Sequence, residues 1–400
     1  MTGLTATVLF AGAGLESEAL RQLGIQVDEA INHDPLTVAT HDLNHPNTHA
    51  ECADITAIKP GRRHRTDILA ASPVCTDFTR ANGRPPESDL YATDLYGRPP
   101  GGKDQRALMW DVLKFMEAAC AHRRPYRLVF VENVPEIADW VLWSTWRMGV
   151  RALGYQMVVV SRSSAFETGQ DRPRIYVLAV PVGTPPPDVS FTPPAPCGRC
   201  GEVEAVQVWR RHGVTAGRWG EQYDYRCPHC RGQVAPYAVT AAEVLDVDRP
   251  GRPIGRLSRL VPASVERVER ALAAWGPAGA RTHARFTPRP GVARPDALTV
   301  SYYGDDGEKG WPILAPARTL TGTARHALVT WPGPGAELGD CGYRMFTVAE
   351  QRRLQGVPAH YRFAGTSRDH IRMIGNGVPI PTVRNIIRPA LESILGERTT

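Results

Sequence analysis

Lysine is nearly absent from this chain: of 47 basic side chains in 400 residues, only Lys59, Lys103, Lys114 and Lys309 are lysines. The remainder are arginines, whose planar fork suits phosphate and base-edge contacts, and the formal net charge is +6. That balance admits a nucleic-acid partner; a GC-rich genome, which enriches arginine, proline and alanine, accounts for it equally well. Long apolar runs are also missing. None approaches the ~20 residues that a membrane-spanning helix needs, and the stretch MTGLTATVLFAGAGLESEAL lacks the basic start and small-residue cleavage site of a secretory signal. The expectation is a cytoplasmic, monomeric protein with no membrane partner.

Cysteine is sparse outside two pairs. Cys197/Cys200 and Cys227/Cys230 form CxxC units, and Cys52, Cys75, Cys120 and Cys341 are scattered. In a cytosolic chain, paired CxxC units suggest a metal rather than disulfides. The spacing C-x2-C-x26-C-x2-C suits four thiolates around one tetrahedral structural zinc in a ribbon-like module. His229, inside the second pair, is not needed, because four cysteines close the shell.

Over the first 180 residues short apolar runs alternate with amphipathic stretches. ATVLFAG, VDEAIN, TDILAAS, YRLVFVENV, YQMVVVSRSSAF and RIYVLAVPV read as strands, while LESEALRQLG and ALMWDVLKFMEAACAHRRP read as helices. Strands alternating with helices predict a doubly wound, Rossmann-like α/β sheet. PVGTPPPDVSFTPPAPC then marks a boundary that cannot continue a helix or a central strand. Helical periodicity returns with FTVAEQRRLQGVP and PTVRNIIRPALESILG. The expected layout is a large domain over 1–184 and 318–400, with a smaller irregular zinc-containing insert over 185–317. The insert is expected to lack a good apolar core, so that metal supplies its folding energy. Within it, 256–276 reads as a helix with Leu257, Leu260, Val261, Val265, Val268 and Leu272 near one face.

Several residues carry chemistry. Gly12 and Gly14 stand between a strand and a helix, where the backbone can turn tightly and bring free amides towards a cofactor. About 20 residues on, INHDP offers Asp34 to a ribose hydroxyl, and Asp54 in CADI can accept from an adenine amino group. Cys75 and Glu132 lie at predicted strand ends on one side of the sheet, where ligands of such sheets gather. A thiol nucleophile beside a carboxyl acid is a chemical pair. Arg172 and Arg174, two apart and entering a strand, share one face.

The ordered set FAGAG, SPVCTDFT, VENV, GQDRPR, RTLT and IGNGVPIP resembles the cytosine-C5 methyltransferases. The resemblance covers 6–180 and 318–390 and places the variable insert where that family has its target-recognition domain. It implies a DNA (cytosine-5-)-methyltransferase that extrudes its target base from duplex DNA and uses S-adenosylmethionine. Cys75 would attack C6, Glu132 would protonate N3, Asn133 would support the loop, and Arg172 and Arg174 would hold the base carbonyl and a phosphate; Gln170 reads as structural. The cofactor would lie among Phe10, Ala11, Gly12, Gly14, Asp34, Asp54, Ile55, Pro73 and Asn376. The chain departs from the family pattern at Val74 and Thr76, which flank Cys75 where proline and glutamine are usual, at Leu15 in place of a glycine, and at Asn32 in place of the ribose-binding acid.

The polar stretch 79–106, rich in glycine and proline, is expected to close as a lid over the extruded base. Arg199, Arg210, Arg211, Arg218, Arg226 and Arg231 of the insert are expected to form a surface for the nucleic-acid backbone. Two other readings stay open: an RNA cytosine-5 methyltransferase with the same chemistry, and a catalytically silent nucleic-acid-binding relative in which Val74 and Thr76 mark decay. Whether the chain is phage-borne, an orphan or part of a restriction system is also open.

Overall fold

The computed structural model describes residues 2–74, 105–249, 251–256, 260–276, 285–302, 310–333 and 335–396. Cys75, Thr76, most of the stretch read as a lid, Leu257, Lys103 and Lys309 lie outside these.

Eight strands and four helices make the first unit: β1 Thr5–Leu9, α1 Leu15–Gln22, β2 Gln26–Asn32, α2 Pro35–Asn44, β3 His49–Cys52, β4 Ile68–Ala71, α3 Met109–Ala121, β5 Leu128–Asn133, α4 Trp143–Ala152, β6 Tyr155–Ser163, β7 Gln170–Asp171 and β8 Pro173–Pro181. All except β7 and the helices form a seven-stranded sheet in the order β3-β2-β1-β4-β5-β8-β6. The strands from β3 to β5 run parallel, and β8 lies antiparallel between β5 and β6. The central strands are apolar along their whole length because both sheet faces are covered. One face packs under α1 and the C-terminal α9 (Ile380–Leu395), the other under α3 and α4.

Local signals account for the helix starts. Asp34 caps α2, its carboxylate accepting the Thr37 amide, with Pro35 in the first turn. Reciprocal capping boxes open α7 (Val348–Leu354), through Thr347 and Glu350, and α8 (Ser367–Asn376), through Thr366 and Asp369. Chain direction reverses between β1 and β4, since β2 and β3 lie on one side and β5 on the other. In doubly wound sheets the ligand crevice opens at the carboxyl ends of such strands.

The second region holds β9 Pro194–Cys197, β10 Gly201–Glu204, β11 Val206–Trp209, β12 Tyr223–Arg226, β13 Tyr237–Ala238, α5 Ala241–Val244, β14 Arg252–Pro253, α6 Pro262–Trp275, β15 Thr287–Pro288, β16 Ala297–Ser301, β17 Gly310–Pro312, β18 Ala317–Arg318, β19 His326–Thr330 and β20 Gly342–Met345. The pairs β9–β10 and β11–β12 are antiparallel hairpins that carry the cysteines. Strands β14-β20-β19-β16-β17 form a five-stranded antiparallel sheet. This sheet draws strands from both sides of residue 318, so the boundary expected there does not coincide with it.

Two expectations about this region are corrected. The cysteine module has a core after all: Trp219, Tyr223, Tyr225 and Phe286 are buried together with Val203, Ala195 and Val234. Trp219 stands edge-on to Tyr225 at 4.9 Å and to Phe286 at 4.8 Å, separations at which aromatic pairs attract. The helix read over 256–276 begins only at Pro262, whose fixed φ suits a first turn. Val261 precedes that helix and is exposed, while Val268, Ala271 and Trp275 face the five-stranded sheet. Among the described residues no helix is long and apolar enough to cross a membrane.

Candidate active site

The glycine turn is built from strain and close packing. After β1 the chain passes through Phe10 at φ 57, Gly12 at φ 52 and Gly14 at φ 85, and Gly14 N donates to Ala11 O. A left-handed φ disfavours any residue with a Cβ, and at Gly14 space forbids one too. A Cβ there would stand 2.7 Å from Tyr361 Oη and 2.9 Å from the rings of His41 and His45. Those side chains hold the turn from below: Tyr361 Oη donates to Ala13 O at 2.6 Å, and His45 Nε2 lies 3.1 Å from Gly14 O. At Gly12, in contrast, the space a Cβ would take is bordered only by Phe10 O at 3.9 Å. The crevice is therefore open on the side a cofactor would approach. Ala11 and Ile55 are buried beside it and Phe10 is half-buried.

Leu15, where the related pattern has glycine, fits because of Gly377. A Cβ on Gly377 would come within 2.5 Å of Leu15 Cδ1, so the missing side chain leaves the room that Leu15 fills. Asn376 is exposed next to it, with its Oδ1 2.9 Å from where a Cβ on Gly322 would stand. The C-terminal motif thus closes on the turn, as one compact rim.

The acidic candidates behave differently. Asp34 Oδ1 accepts from the Thr37 amide and Oδ2 from Arg372 of α8. Burial alone would raise its pKa, but the bonds from Arg372 and Thr37 outweigh that and hold it at about 2. Both oxygens of the residue expected at the ribose are therefore already engaged. Asp54 is exposed and caps a short turn, accepting from Thr56 N and Oγ1, each at 2.9 Å.

Glu132 and Asn133 end β5, and the structure brings Glu132 and Arg174 together. Glu132 stands opposite Tyr176 of β8; Arg174, two residues along, projects on the same face. Its Nε lies 2.9 Å from Glu132 Oε1, although the contact is not aligned as a hydrogen bond. Both residues are buried. Arg172 has another task, reaching the carbonyls of Leu320 at 3.0 Å, Gly375 at 3.1 Å and Gly377 at 3.0 Å. Gln170 donates to Leu354 O and Gln355 Oε1, and accepts from Leu320 N. These two residues bind the C-terminal return to the sheet.

Asn133 Nδ2 donates to Pro73 O at 3.3 Å, and its Oδ1 accepts from Val134 N at 2.8 Å. The chain leading to Cys75 is thereby tied to the end of β5. One residue that sequence reasoning passed over stands here as well. Glu16, in the first turn of α1, is buried, and Ser72 Oγ donates to its Oε2 at 2.9 Å. An acid in a first helical turn reads as an exposed partner of the helix dipole; only tertiary packing shows it to be internal.

In the insert, the Sγ atoms of Cys197, Cys200, Cys227 and Cys230 all lie within 4.8 Å of one another. Tetrahedral thiolates at 2.3 Å from one ion would stand about 3.8 Å apart, so the cluster fits a metal. Backbone amides of Arg199 and Cys200 point at the Cys197 sulfur and lower its thiol pKa to about 7, which favours the ligating thiolate. The expected basic surface is partly spent: Arg210 makes a paired contact with Asp224 at 2.9 Å, and Arg218 pairs with Glu136 just beyond Glu132. Arg199, Arg211 and Arg231 are exposed.

The model of the C-5 cytosine-specific DNA methylase family matches residues 4–194 and 302–392. DNA (cytosine-5)-methyltransferase 1B of Oryza sativa subsp. japonica is 23% identical over 440 residues, covering 98% of this chain and 28% of its own length. DNA (cytosine-5)-methyltransferase CMT2 of the same organism is 51% identical over 41 residues, or 10% of this chain and 3% of its own. The chain therefore spans little more than a quarter of the first of these relatives and far less of the second. Among solved structures, Dnmt2 methyltransferase of S. pombe shares a TM-score of 0.54 at 15% identity, covering 98% of this chain and 99% of the other. A putative DNA modification methyltransferase encoded within an E. coli prophage shares 0.51 at 17% identity, with 99% and 100% covered. At such identities the likeness is one of fold.

Proposed function

Because the chain belongs to the C-5 cytosine-specific DNA methylase family, we propose that it methylates C5 of a cytosine extruded from double-stranded DNA. The observation that carries this reading is the Glu132–Arg174 pair at the strand ends, with Asn133 tying down the chain that leads to Cys75. When bound, S-adenosylmethionine supplies a methyl group activated on a sulfonium.

Cytosine C5 is too weak a nucleophile to take that methyl group directly. The Cys75 thiolate adds to C6 while a proton passes from Glu132 to N3, which makes C5 enamine-like. C5 then bonds to the methyl carbon. Loss of the C5 proton and of the Cys75–C6 bond restores the ring. Arg174 sits where it holds Glu132 in place and can reach the base carbonyl; Arg172, engaged on three carbonyls, secures the rim. Extrusion is required because C6 is inaccessible in a stacked base, and unstacking costs a few kcal/mol. Phe10, Ala11, Gly12, Gly14, Ile55 and Pro73 would line the cofactor crevice, with Asp34, Asp54 and Asn376 at its rim. Cys197, Cys200, Cys227 and Cys230 would hold a structural zinc in the target-recognition region.

The test is covalent trapping on duplex DNA containing 5-fluorocytosine, together with labelled-methyl transfer to duplex DNA and to tRNA. The expected result is a stable adduct with DNA that Cys75→Ser abolishes. Transfer to tRNA alone would overturn the DNA substrate, and no adduct from intact protein would overturn the mechanism.

A further inference from the structure

The pocket contains a second internal carboxyl that the proposed reaction does not use. Strands β1, β4 and β5 are neighbours, and Ala71 pairs with Val131. The next residues, Ser72 and Glu132, therefore stand level at the carboxyl end of the sheet. Glu16, at the start of the helix that follows β1, reaches across to Ser72 Oγ through Oε2 at 2.9 Å. Its other oxygen, Oε1, is buried without a hydrogen-bond partner. Glu16 is only 3% exposed. Three polar groups, Glu16, Ser72 and Glu132, thus line up across the top of three adjacent strands, immediately beside the glycine turn.

We propose that Glu16 acts on the acid step as a positioning residue, holding the proton on Glu132 through the like charge that its own carboxyl can acquire. This rests on the reading of Glu132 as the acid.

Two neighbouring carboxyls resist ionising together and titrate as a pair. Burial is the main cause that pushes the Glu16 pKa up, to about 8; the Ser72 hydroxyl works against it, and the nearby Glu132 adds to it. Among the described residues, the other groups that face Glu132 are Arg174 and the buried Tyr176 phenol of β8. Below about 8, Glu16 is neutral and exerts no charge on Glu132. Above that, its negative charge opposes loss of the proton from Glu132. The pair then keeps its acid function further into alkaline conditions than one carboxyl beside Arg174 would.

The test uses the full chain and the variant Glu16→Gln, which retains shape and an acceptor for Ser72 but carries no charge. Methyl transfer to duplex DNA is followed across pH, each protein being compared only with itself, so that a uniform loss does not count. The alkaline limb of Glu16→Gln is expected to fall about one pH unit earlier than that of the wild type. Coincident limbs would overturn the proposal whatever the absolute rates. A second measurement needs no activity: the side-chain carbon signal of Glu16, from 13C-labelled glutamate and assigned through Glu16→Gln, is titrated by NMR. It should titrate near 8 and move lower in Glu132→Gln. A midpoint in the ordinary carboxylate range, or one indifferent to Glu132→Gln, would overturn the proposal. If the wild type transfers no methyl group yet Glu16 titrates as expected, the paired titration stands and the reading of Glu132 as the acid fails.

Discussion

Glu132 and Gly14 illustrate how much one residue can be asked to do. Glu132 is buried against Arg174, and Glu132→Gln keeps that volume while removing the proton donor. Methyl transfer is expected to fall by about 10²–10⁴ with binding of duplex DNA retained; a variant that still transfers at the wild-type rate would remove Glu132 from the reaction. Gly14 is a packing constraint. Gly14→Ala meets Tyr361, His41 and His45 within 2.9 Å in a left-handed backbone, and should cost about 1–3 kcal/mol, read as a lower denaturant midpoint with unchanged slope. At this scale the sequence was informative where chemistry is local. The turn glycines, Glu132 and the arginine pair could be picked out by type and spacing. That Arg172 would be consumed by three carbonyls, or that Glu16 would be internal, depends on segments 150 to 360 residues away that no local pattern announces.

Among the elements, the cysteine hairpins and the aromatic core beneath them share the work of folding. Hairpins of four-residue strands are marginal alone, so the thiolate cluster should matter even though Trp219, Tyr223, Tyr225 and Phe286 are buried together. Treatment with a strong chelator is expected to raise hydrogen exchange across 194–231 while the seven-stranded sheet keeps its protection. Unchanged exchange in the hairpins, with metal absent by elemental analysis, would show that the aromatic core suffices. The paired CxxC spacing was legible because metal ligation fixes spacing directly. The core was not, because Phe286 joins it from some sixty residues beyond the hairpins. Parallel strands β1, β4 and β5 were readable for the opposite reason: buried on both faces, they are apolar throughout.

For the whole molecule, buried neutral histidines set the response to acid. Burial is the main cause that lowers His41 and His326 to about 3, His45 adding to the first and Arg318 to the second. Both remain neutral in the folded protein down to that range, whereas the unfolded chain takes up these protons near 6.5. The unfolded state therefore binds more protons between about 3 and 6.5, and stability rises with pH across that window. Each histidine should remove up to about 1.4 kcal/mol per pH unit as the solution is acidified below 6.5. Urea midpoints measured between pH 7 and pH 4 check this; a flat profile would show that the two rings are accessible to protons in the folded state.

The sequence by itself determined the order of the motifs, the alternation that makes the α/β sheet, and the four thiols at metal-ligand spacing. Each of these is written in residues close along the chain, where backbone geometry and side-chain type suffice. Only the tertiary structure decided which charges are inside, which arginine meets Glu132, and why Leu15 is tolerated against Gly377. Burial and pairing are set by whatever packs from elsewhere in the chain, and a protonation state follows from that surrounding rather than from the residue that carries it.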